Sequence, residues 1–456
     1  MAKRRSKKRT AAGWQQIIPV WTGVFVVLYL LFPGTDGSQG ISGDKTWFFY
    51  GLSALLLLFG AVLLIRDLQK KQSVSPTAAQ IAALVYLACT LISAALSEVP
   101  GGKAWYDGTA HEAALTVFCY VLLFLVVSRW GSASEPLFLA LFWTMVCFSL
   151  ICLLQMLGEN PLQLYPAGLN FYDGYGVKYS GAYAGTIGNV DSVSAFLALA
   201  VPILLLHTRG QKLRKAWPCW LLALFCVGIM VWIQVLCGLV GLVLGGALCL
   251  LVLCPDKRRK WVLLLFCLLG AGGLAVLWRF DLPGSLHELH EILHGRFSDS
   301  FGTGRFYIWR QMLSRIPDRL WFGVGPDMAR YSGLAPFIRP VPKAIQVTAE
   351  LSGQPVKFWI SLIGVRKATL TDAHCYPLQI LYCQGLPALL SWLTVVGLSL
   401  VHWVRCRRDR TAAILGGGLV CYLCAMLFCF SSVIVMPFFW LSLALLENRC
   451  QKQKGL

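Results

Sequence analysis

The sequence predicts an all-α integral membrane protein with about twelve transmembrane helices and one long extracytoplasmic loop between spans 9 and 10. Hydrophobic residues make up 57% of the 456 residues and charged residues only 13%, with a mean hydropathy of +0.65. Soluble domains carry about 25% charged residues. Apolar runs of the ~20 residues that cross a bilayer recur along the chain, and they are interrupted by one connection of roughly ninety residues, 280–373.

The apolar runs define the spans and divide the chain into five parts. The predicted spans are 17–33, 47–65, 78–96, 113–128, 136–157, 190–207, 217–236, 238–254, 261–279, 386–404, 411–430 and 434–447. The parts are a basic cytoplasmic tail (1–13), spans 1–9 (14–279), an extracytoplasmic catalytic loop (280–373), a re-entrant helix with spans 10–12 (374–447), and a cytoplasmic tail (448–456).

The basic residues predict the orientation of the chain. The net charge of +19 by itself suggests a nucleic-acid partner, but most of the 40 Lys and Arg lie in the two tails and in every second loop. The positive-inside rule places those segments in the cytoplasm. The short loops of the other set hold only Lys45, Lys103 and Lys178. Both termini are therefore predicted to be cytoplasmic and the long loop extracytoplasmic, and we expect the first span to be uncleaved because no small-residue cleavage site stands out.

Residues inside the spans give little sign of transport or metal chemistry. Most of the 17 cysteines lie in spans, where a free thiol packs as a small apolar group, and we interpret the Cys421/Cys424 pair in the same way. Ionisable residues are nearly absent from the spans, with Asp191 as the main exception, whereas ion-coupled transporters usually bury carboxylates. A twelve-span exporter or flippase remains an alternative.

Arg305 lies in the motif GTGRFYIWR of the long loop. Thr303 is predicted to cap a helix that runs to about Ile316, before Pro317. Arg305 would then lie in the first turn, where main-chain N–H groups and a guanidinium together favour phosphate or diphosphate. The alternative is an amphipathic helix whose arginines meet lipid phosphates, and we favour it for Arg310 and the arginines that follow.

His374 lies where the long loop returns to the membrane, in DAHCYPLQ. Its side chain is suited to proton transfer near neutral pH, and Asp372, two residues earlier, is a candidate to orient the ring. The alternative is an interfacial histidine that is bonded only to the main chain.

A third motif, HEILH, matches the zinc-protease pattern with His290, Glu291 and His294. A third ligand is hard to place, because no glutamate occurs between Glu291 and Glu350. A zinc-dependent membrane protease therefore remains a second alternative. No DxD motif appears in any loop, so no metal site for a nucleotide sugar is predicted.

Four segments carry a resemblance to a known family. They are TIGNVDSVSAFLALAVP, CGLVGLVLGGAL, GRFYIWRQMLSRIPDRLWFGVGPDMARY and AHCYPLQILYCQGLPALLSW, which together span roughly residues 180–400. In order and spacing they resemble the O-antigen ligase and polymerase superfamily of bacterial envelope polysaccharide enzymes, which are similar to the C-type membrane glycosyltransferases.

The resemblance implies that a glycan passes from an undecaprenyl diphosphate carrier to an acceptor hydroxyl, on a glycan or another envelope molecule, without nucleotide, metal or other cofactor. It assigns Arg305 to the donor diphosphate and His374 to the acceptor, and it implies a multi-pass protein of the bacterial cytoplasmic membrane with an extracytoplasmic active site. It leaves ligase and polymerase open. The substrate-binding candidates are Asn189, Asp191, Arg279, Arg296, Trp309, Arg310 and Asp372.

The sequence departs from the family pattern at three places. Many members have Ser-Arg-Gly where this chain has Leu236, Cys237 and Gly238, so one expected arginine is missing. Cys375 stands where Asn is common and Gln384 where Glu is usual. We expect another arginine to substitute for the missing one, with Arg279, Arg296 and Arg330 as the candidates.

Overall fold

The structure, a computed structural model, describes residues 2–35, 37–72, 75–108, 110–157, 159, 162, 171–172, 178–179, 185–233, 235–283, 285–351 and 354–454. The helices in this part are α1 (Ala2–Leu31), α2 (Gly37–Gln69), α3 (Ala78–Ala95), α4 (Lys103–Tyr106), α5 (Ala114–Trp130), α6 (Glu135–Met156), α7 (Val190–His207), α8 (Leu213–Trp232), α9 (Leu236–Leu253), α10 (Asp256–Arg279), α11 (Ser285–Leu293), α12 (Phe301–Leu313), α13 (Tyr376–Gln384), α14 (Leu386–Arg405), α15 (Arg410–Ala425) and α16 (Met436–Lys454). The strands are β1 (Phe171–Tyr172), β2 (Lys178–Tyr179), β3 (Phe337–Leu351) and β4 (Gln354–Ala368).

The predicted all-α polytopic architecture is confirmed. Each of the twelve predicted spans falls on one helix: α1, α2, α3, α5 to α10, and α14 to α16. Among the described residues, nine helices are long and apolar enough to cross a membrane, and α5 and α15 are shorter apolar helices. The α4, α11, α12 and α13 helices lie in the connections, as their short or polar sequences favour.

Aromatic and small side chains build the centre of the bundle. Trp440 of α16 is fully buried and stacks near Tyr86 of α3 and Tyr120 of α5, with ring centroids 6.1 and 6.2 Å away. On the other side, α9 packs closely on α15, because a Cβ atom at Gly245 would lie only 2.4 Å from the Cα of Cys421. Small residues allow such close helix approach in a membrane, where apolar packing alone gives little specificity.

Lys45 was predicted to lie in a loop, but the structure places it in a helix. It belongs to α2, is buried, and its Nζ donates to the carbonyls of Tyr29 and Leu30 at 2.6 and 3.2 Å. The last carbonyls of a helix have no partner within the helix. Lys45 therefore supplies donors to the end of α1, which explains why a charged side chain is tolerated at this depth.

The long loop contains a structure that the sequence analysis did not predict. Strands β3 and β4 form an antiparallel hairpin whose register runs from Phe337 opposite Ala368 to Leu351 opposite Gln354. Pro340 and Pro342 lie within β3, and proline normally argues against a strand. In a two-stranded hairpin both strands are edges, where a missing N–H donor is tolerated.

The segment before the hairpin is held against the helical bundle by main-chain hydrogen bonds. The N–H of Gly325 donates to the carbonyl of Cys383 at 2.8 Å, and the N–H of Leu386 donates to that of Leu320 at 2.8 Å. Gly323 has a φ of +64°, and a Cβ atom there would lie 2.4 Å from the main chain of Cys383. Part of the long loop is therefore fixed on the bundle rather than tethered only at its ends.

Candidate functional site

His374 lies at a strained point of the main chain, directly before α13. Its φ is +50°, in the left-handed region that disfavours a residue with a Cβ atom. Its N–H donates to Oδ1 of Asp372 at 2.6 Å, whereas the same oxygen lies 3.9 Å from Nδ1 of the imidazole. Asp372 is only 5% exposed. The carboxylate of Asp372 therefore holds the main chain of His374, whereas Nδ1 of the ring lies 3.4 Å from the main-chain carbonyl of Asp372, which differs from the predicted role of the Asp372 side chain.

Ala373, which precedes His374, is held by hydrogen bonds to its N–H and to its carbonyl. The N–H of Ala373 donates to Oε1 of Gln379 at 3.0 Å, and the carbonyl of Ala373 accepts from Nε1 of Trp309 at 2.8 Å. Gln379 belongs to α13 and Trp309 to α12. Trp309 was among the predicted substrate-binding candidates and Gln379 was not, because nothing in a lone glutamine indicates which main-chain group it will bind.

Arg305 lies in an irregular first turn of α12. Gly302 and Gly304 have φ values of +60° and +91°, and Nη1 of Arg305 donates back to the carbonyl of Gly302 at 2.8 Å. Glu288 of α11 accepts the N–H of Gly302 at 2.8 Å. The helix begins at Phe301 and ends at Leu313, earlier than the predicted range, and the side chain of Thr303 lies outside the described part of the structure.

The charges of Arg305 and Asp191 both act on His374. Burial lowers the pKa of His374 most, the positive charge of Arg305 lowers this pKa further, and the negative charge of Asp191 raises it. The ring of Phe430 approaches the imidazole edge-on, with centroids 5.6 Å apart. Because charges interact strongly only over short distances, Arg305 and Asp191 lie within electrostatic range of His374, and the direction of the shift favours the neutral imidazole.

Asp191 lies in the first turn of α7, close to two cysteines from other parts of the bundle. Asn189 caps α7 by accepting the N–H of Ser192 at 3.1 Å. The carbonyl of Asp191 lies 4.0 Å from the sulfur of Cys237 and 3.7 Å from that of Cys429. A thiol therefore stands beside the site at the position of the missing arginine, and the sequence analysis missed Cys429 and Phe430, whose apolar context gave no signal.

Three other arginines have contacts elsewhere, and a fourth is exposed. Arg296 binds Glu291 with two hydrogen bonds of 2.7 and 2.6 Å, and Arg310 pairs with Asp299 at 2.5 Å. Arg279 lies over the ring of Phe280 at 5.6 Å, and Arg330 is exposed. The structure does not bring any of these four arginines to His374 through a described contact. Replacement of the missing arginine stays a prediction.

Of the contacts in the HEILH motif, that of Glu291 does not suit a protease centre, whereas Nδ1–carbonyl contacts also occur in histidines that bind a metal through Nε2. The Nδ1 atoms of His290 and His294 lie 2.6 and 2.8 Å from the carbonyls of Leu277 and His290, respectively. The carboxylate of Glu291, which would have to activate water, is held by Arg296. Across the described residues no group of three His, Cys, Asp or Glu is arranged to hold a metal ion.

Two further carboxylates lie buried beneath the site. Asp327 is 4% exposed and accepts the N–H groups of Ala110 and Glu112 at 2.7 and 3.1 Å. Burial raises the pKa of Asp327 to about 7 and that of Asp372 to about 8. Glu112 itself contacts Tyr120 and Ser431. The long loop is thus joined to the connection before α5 through a buried carboxyl, which the sequence analysis did not predict.

The fold and site define a polytopic membrane protein in which a long loop returns a histidine and an arginine to a helical bundle. A model of the O-antigen ligase family matches residues 220–393, a stretch that includes Arg305, His374 and the whole long loop. The match supports the predicted resemblance to the O-antigen ligase and polymerase superfamily. It also supports a glycan-transferring enzyme of envelope polysaccharide assembly, and the apolar helices fit a multi-pass protein of the bacterial inner membrane. No curated protein matches the chain significantly.

Proposed function

We propose that this protein transfers a glycan from undecaprenyl diphosphate to an acceptor hydroxyl at the extracytoplasmic face of the membrane. Arg305 binds the diphosphate of the donor, and His374 accepts the proton of the attacking hydroxyl. The observation that carries this proposal is the convergence of a guanidinium and a neutral imidazole at one site of a glycan-transferring enzyme.

The reaction needs a base for the acceptor and a cation for the leaving group. As the acceptor oxygen bonds to the anomeric carbon, the bond from that carbon to the diphosphate oxygen breaks and the hydroxyl proton moves to His374. The lowered pKa of His374 keeps the imidazole unprotonated at neutral pH, so it is ready to accept this proton. The strained main chain at His374, held by Asp372, supports a fixed direction for the ring.

Arg305 is suited to the leaving diphosphate. A guanidinium binds phosphate oxygens through two parallel hydrogen bonds and keeps its charge at any physiological pH. The diphosphate gains negative charge as the glycosidic bond breaks, so this contact becomes stronger in the transition state. In this proposal the enzyme requires no nucleotide, metal or other cofactor, and its partners are the lipid-linked donor, the acceptor and the bilayer.

The proposed orientation is supported by a network of ion pairs at the other end of the bundle. Arg410 pairs with Glu135 at 2.7 Å, Arg407 with Asp256 at 3.1 Å, and Arg449 with Asp409 at 2.7 Å. These pairs join the start of α15 and the connection before it to the starts of α6 and α10 and to the C-terminal helix. The segments that these pairs join are ones that the positive-inside rule assigns to the cytoplasm.

The test is transfer by the purified enzyme in nanodiscs, using undecaprenyl diphosphate-linked glycan extracted from the native cells. We expect Arg305→Gln and His374→Gln each to lower the transfer rate by about 10²-fold or more, the usual effect of losing a general base or a transition-state charge contact. Two matched controls, Arg407→Gln and His287→Gln, lie in the cytoplasmic ion-pair network and on α11, and should retain wild-type transfer. Wild-type rates in folded His374→Gln protein would refute the proposal.

The same assay separates the alternatives. Product that lengthens when the donor glycan is the only saccharide present indicates a polymerase, whereas a requirement for a separate envelope acceptor indicates a ligase. Glycan that accumulates in vesicles without a new glycosidic bond would instead support the exporter. Stoichiometric zinc that is lost in His290→Ala would support the protease, and in our proposal a chelator leaves transfer unchanged.

A further inference from the structure

A polar cavity of about 480 Å³ lies between the long loop and the connection that follows α3. It is separate from the Arg305 and His374 site, since neither residue lines it. Its walls combine guanidinium, carboxyl and phenol groups of Arg315, Arg319, Glu98, Tyr331 and Tyr382.

The wall of the cavity is built by specific contacts. Arg319 of the long loop pairs with Glu98 at 2.6 Å, which joins the two sides of the cavity. The hydroxyl of Tyr382 donates to Oγ of Ser332 at 2.8 Å. Nη1 of Arg315 donates to the carbonyl of Ser332 at 3.0 Å. These hydrogen bonds fix the polar groups before any ligand arrives, so little ordering is needed on binding.

Two helices, α12 and α13, connect the cavity to Arg305 and His374. Arg305 lies at the start of α12 and Arg315 just after its end, about 15 Å further along at 1.5 Å per residue. His374 precedes α13 and Tyr382 lies near its end, about 12 Å away on the same basis. Met312 of α12 and Tyr382 of α13 belong to one buried cluster, so the two helices keep a fixed spacing.

We propose that this cavity is a glycan subsite that binds an uncharged, hydroxyl-rich sugar unit several rings away from the bond that forms. The proposal rests on the proposed function and adds a second point of contact for the same glycan. The distance to His374 suits an oligosaccharide, which spans both places, and not a single sugar ring.

The balance of charges and the tyrosines indicate this class of ligand. Among the lining side chains the two guanidinium groups of Arg315 and Arg319 are equalled in number by the carboxyl groups of Glu98 and Asp318, so the wall offers both donors and acceptors. Tyr331 is 41% exposed, and Nζ of Lys103 lies 4.3 Å from the centroid of its ring. A phenol offers an apolar ring face and a polar tip, which suits the C–H and O–H groups of a pyranose.

Photo-crosslinking in the native cells tests the proposal with the glycans that those cells make. We would place p-benzoylphenylalanine at Tyr331 in the full chain, irradiate, purify the protein and detect carbohydrate by mass spectrometry. The control position is Tyr106, a 60% exposed tyrosine on the neighbouring connection that does not line the cavity. We expect a neutral saccharide adduct at position 331 and at least tenfold less at position 106.

The same crosslinking experiment in the His374→Gln variant tests this proposal independently of the proposed function. The crosslink at position 331 should persist when His374→Gln is also present, because binding in the cavity does not require turnover. If His374→Gln still transfers glycan while position 331 is crosslinked, the catalytic assignment falls and the subsite stands. An anionic saccharide as the adduct, equal adducts at both positions, or adducts of lipid or protein alone at position 331 would overturn the subsite.

Discussion

The indole of Trp309 donates a 2.8 Å hydrogen bond to the carbonyl of Ala373 and thereby joins the two halves of the candidate site. Trp309 lies one helical turn after Arg305 on α12, and Ala373 directly precedes His374. Together with the buried cluster of Met312, Ala373 and Tyr382, this contact sets the distance between the helix that carries the cation and the segment that carries the base.

Loss of the Trp309 hydrogen bond should therefore affect transfer more than stability. Trp309→Phe keeps an aromatic ring and leaves the carbonyl of Ala373 without its donor, at a cost of about 1–3 kcal/mol. We expect the transfer rate to fall by at least tenfold while the melting temperature of the protein in detergent falls by only a few degrees. Trp278→Phe, on α10, is the control; equal transfer in both variants would contradict the prediction.

The charges around His374 should tune its pKa in opposite directions. Burial and Arg305 lower this pKa and Asp191 raises it. Arg305→Gln should therefore raise the pKa of His374, and Asp191→Asn should lower it further. The measurement is a titration of labelled histidine by NMR, with His374→Gln to assign the signal. In the wild type the acidic limb of the pH–rate profile should lie below the ordinary histidine value of about 6.5, and two variants that shift in the same direction would refute the assignment.

The buried carboxyls should make the protein less stable as the pH rises. Folding raises the pKa of Asp372 to about 8 and that of Asp327 to about 7, from an ordinary value of about 3.9. Between about pH 4 and pH 8 the folded state therefore holds more protons than the unfolded state, and the free energy of unfolding falls with rising pH.

Asp372→Asn tests this sign, because the amide oxygen still accepts the N–H of His374. We expect the wild type to melt at a lower temperature at pH 8.5 than at pH 5.5, and we expect the difference to shrink in Asp372→Asn and Asp327→Asn. A wild-type melting temperature that rises over this interval would show that these groups are ionised in the folded protein.

Gly304 should be required for the turn that presents Arg305. Its φ is +91°, and a Cβ atom there would lie 3.1 Å from the ring of Phe337. Gly304→Ala adds a left-handed strain of about 1–2 kcal/mol and a contact with that ring. We expect weaker donor binding, measured as an increased KM for the lipid-linked glycan.

Gly295→Ala is the matched control for this prediction. Gly295 has a similar positive φ of +75° but nothing within 4 Å of the added Cβ atom. It should therefore lose some stability and keep the wild-type KM. The same rise in KM in both variants would mean that general loop strain, and not the position of Arg305, controls donor binding.

Several site residues could be predicted from the sequence because their surroundings carry a local signal. Arg305 follows a glycine pair at the start of a helical pattern, and His374 lies at the boundary between a polar loop and an apolar run. The turn around Arg305 was predicted less well, because α12 begins at Phe301 and its first turn contains two glycines with positive φ values, Gly302 and Gly304. Gln379, Phe430 and Cys429 carry no such signal, since their role arises only from what packs beside them.

The sequence by itself determined the membrane class and the helices at the twelve predicted spans, because crossing a bilayer depends on about 20 consecutive apolar residues and is therefore a local property. The tertiary structure decided the strain at His374, the burial of Asp372 and Asp327, the β3–β4 hairpin and the meeting of Asp191 with Arg305 and His374. Asp191 lies before the matched region and His374 near its end, so the two residues are far apart in the sequence. Only packing between distant segments sets the distance between them.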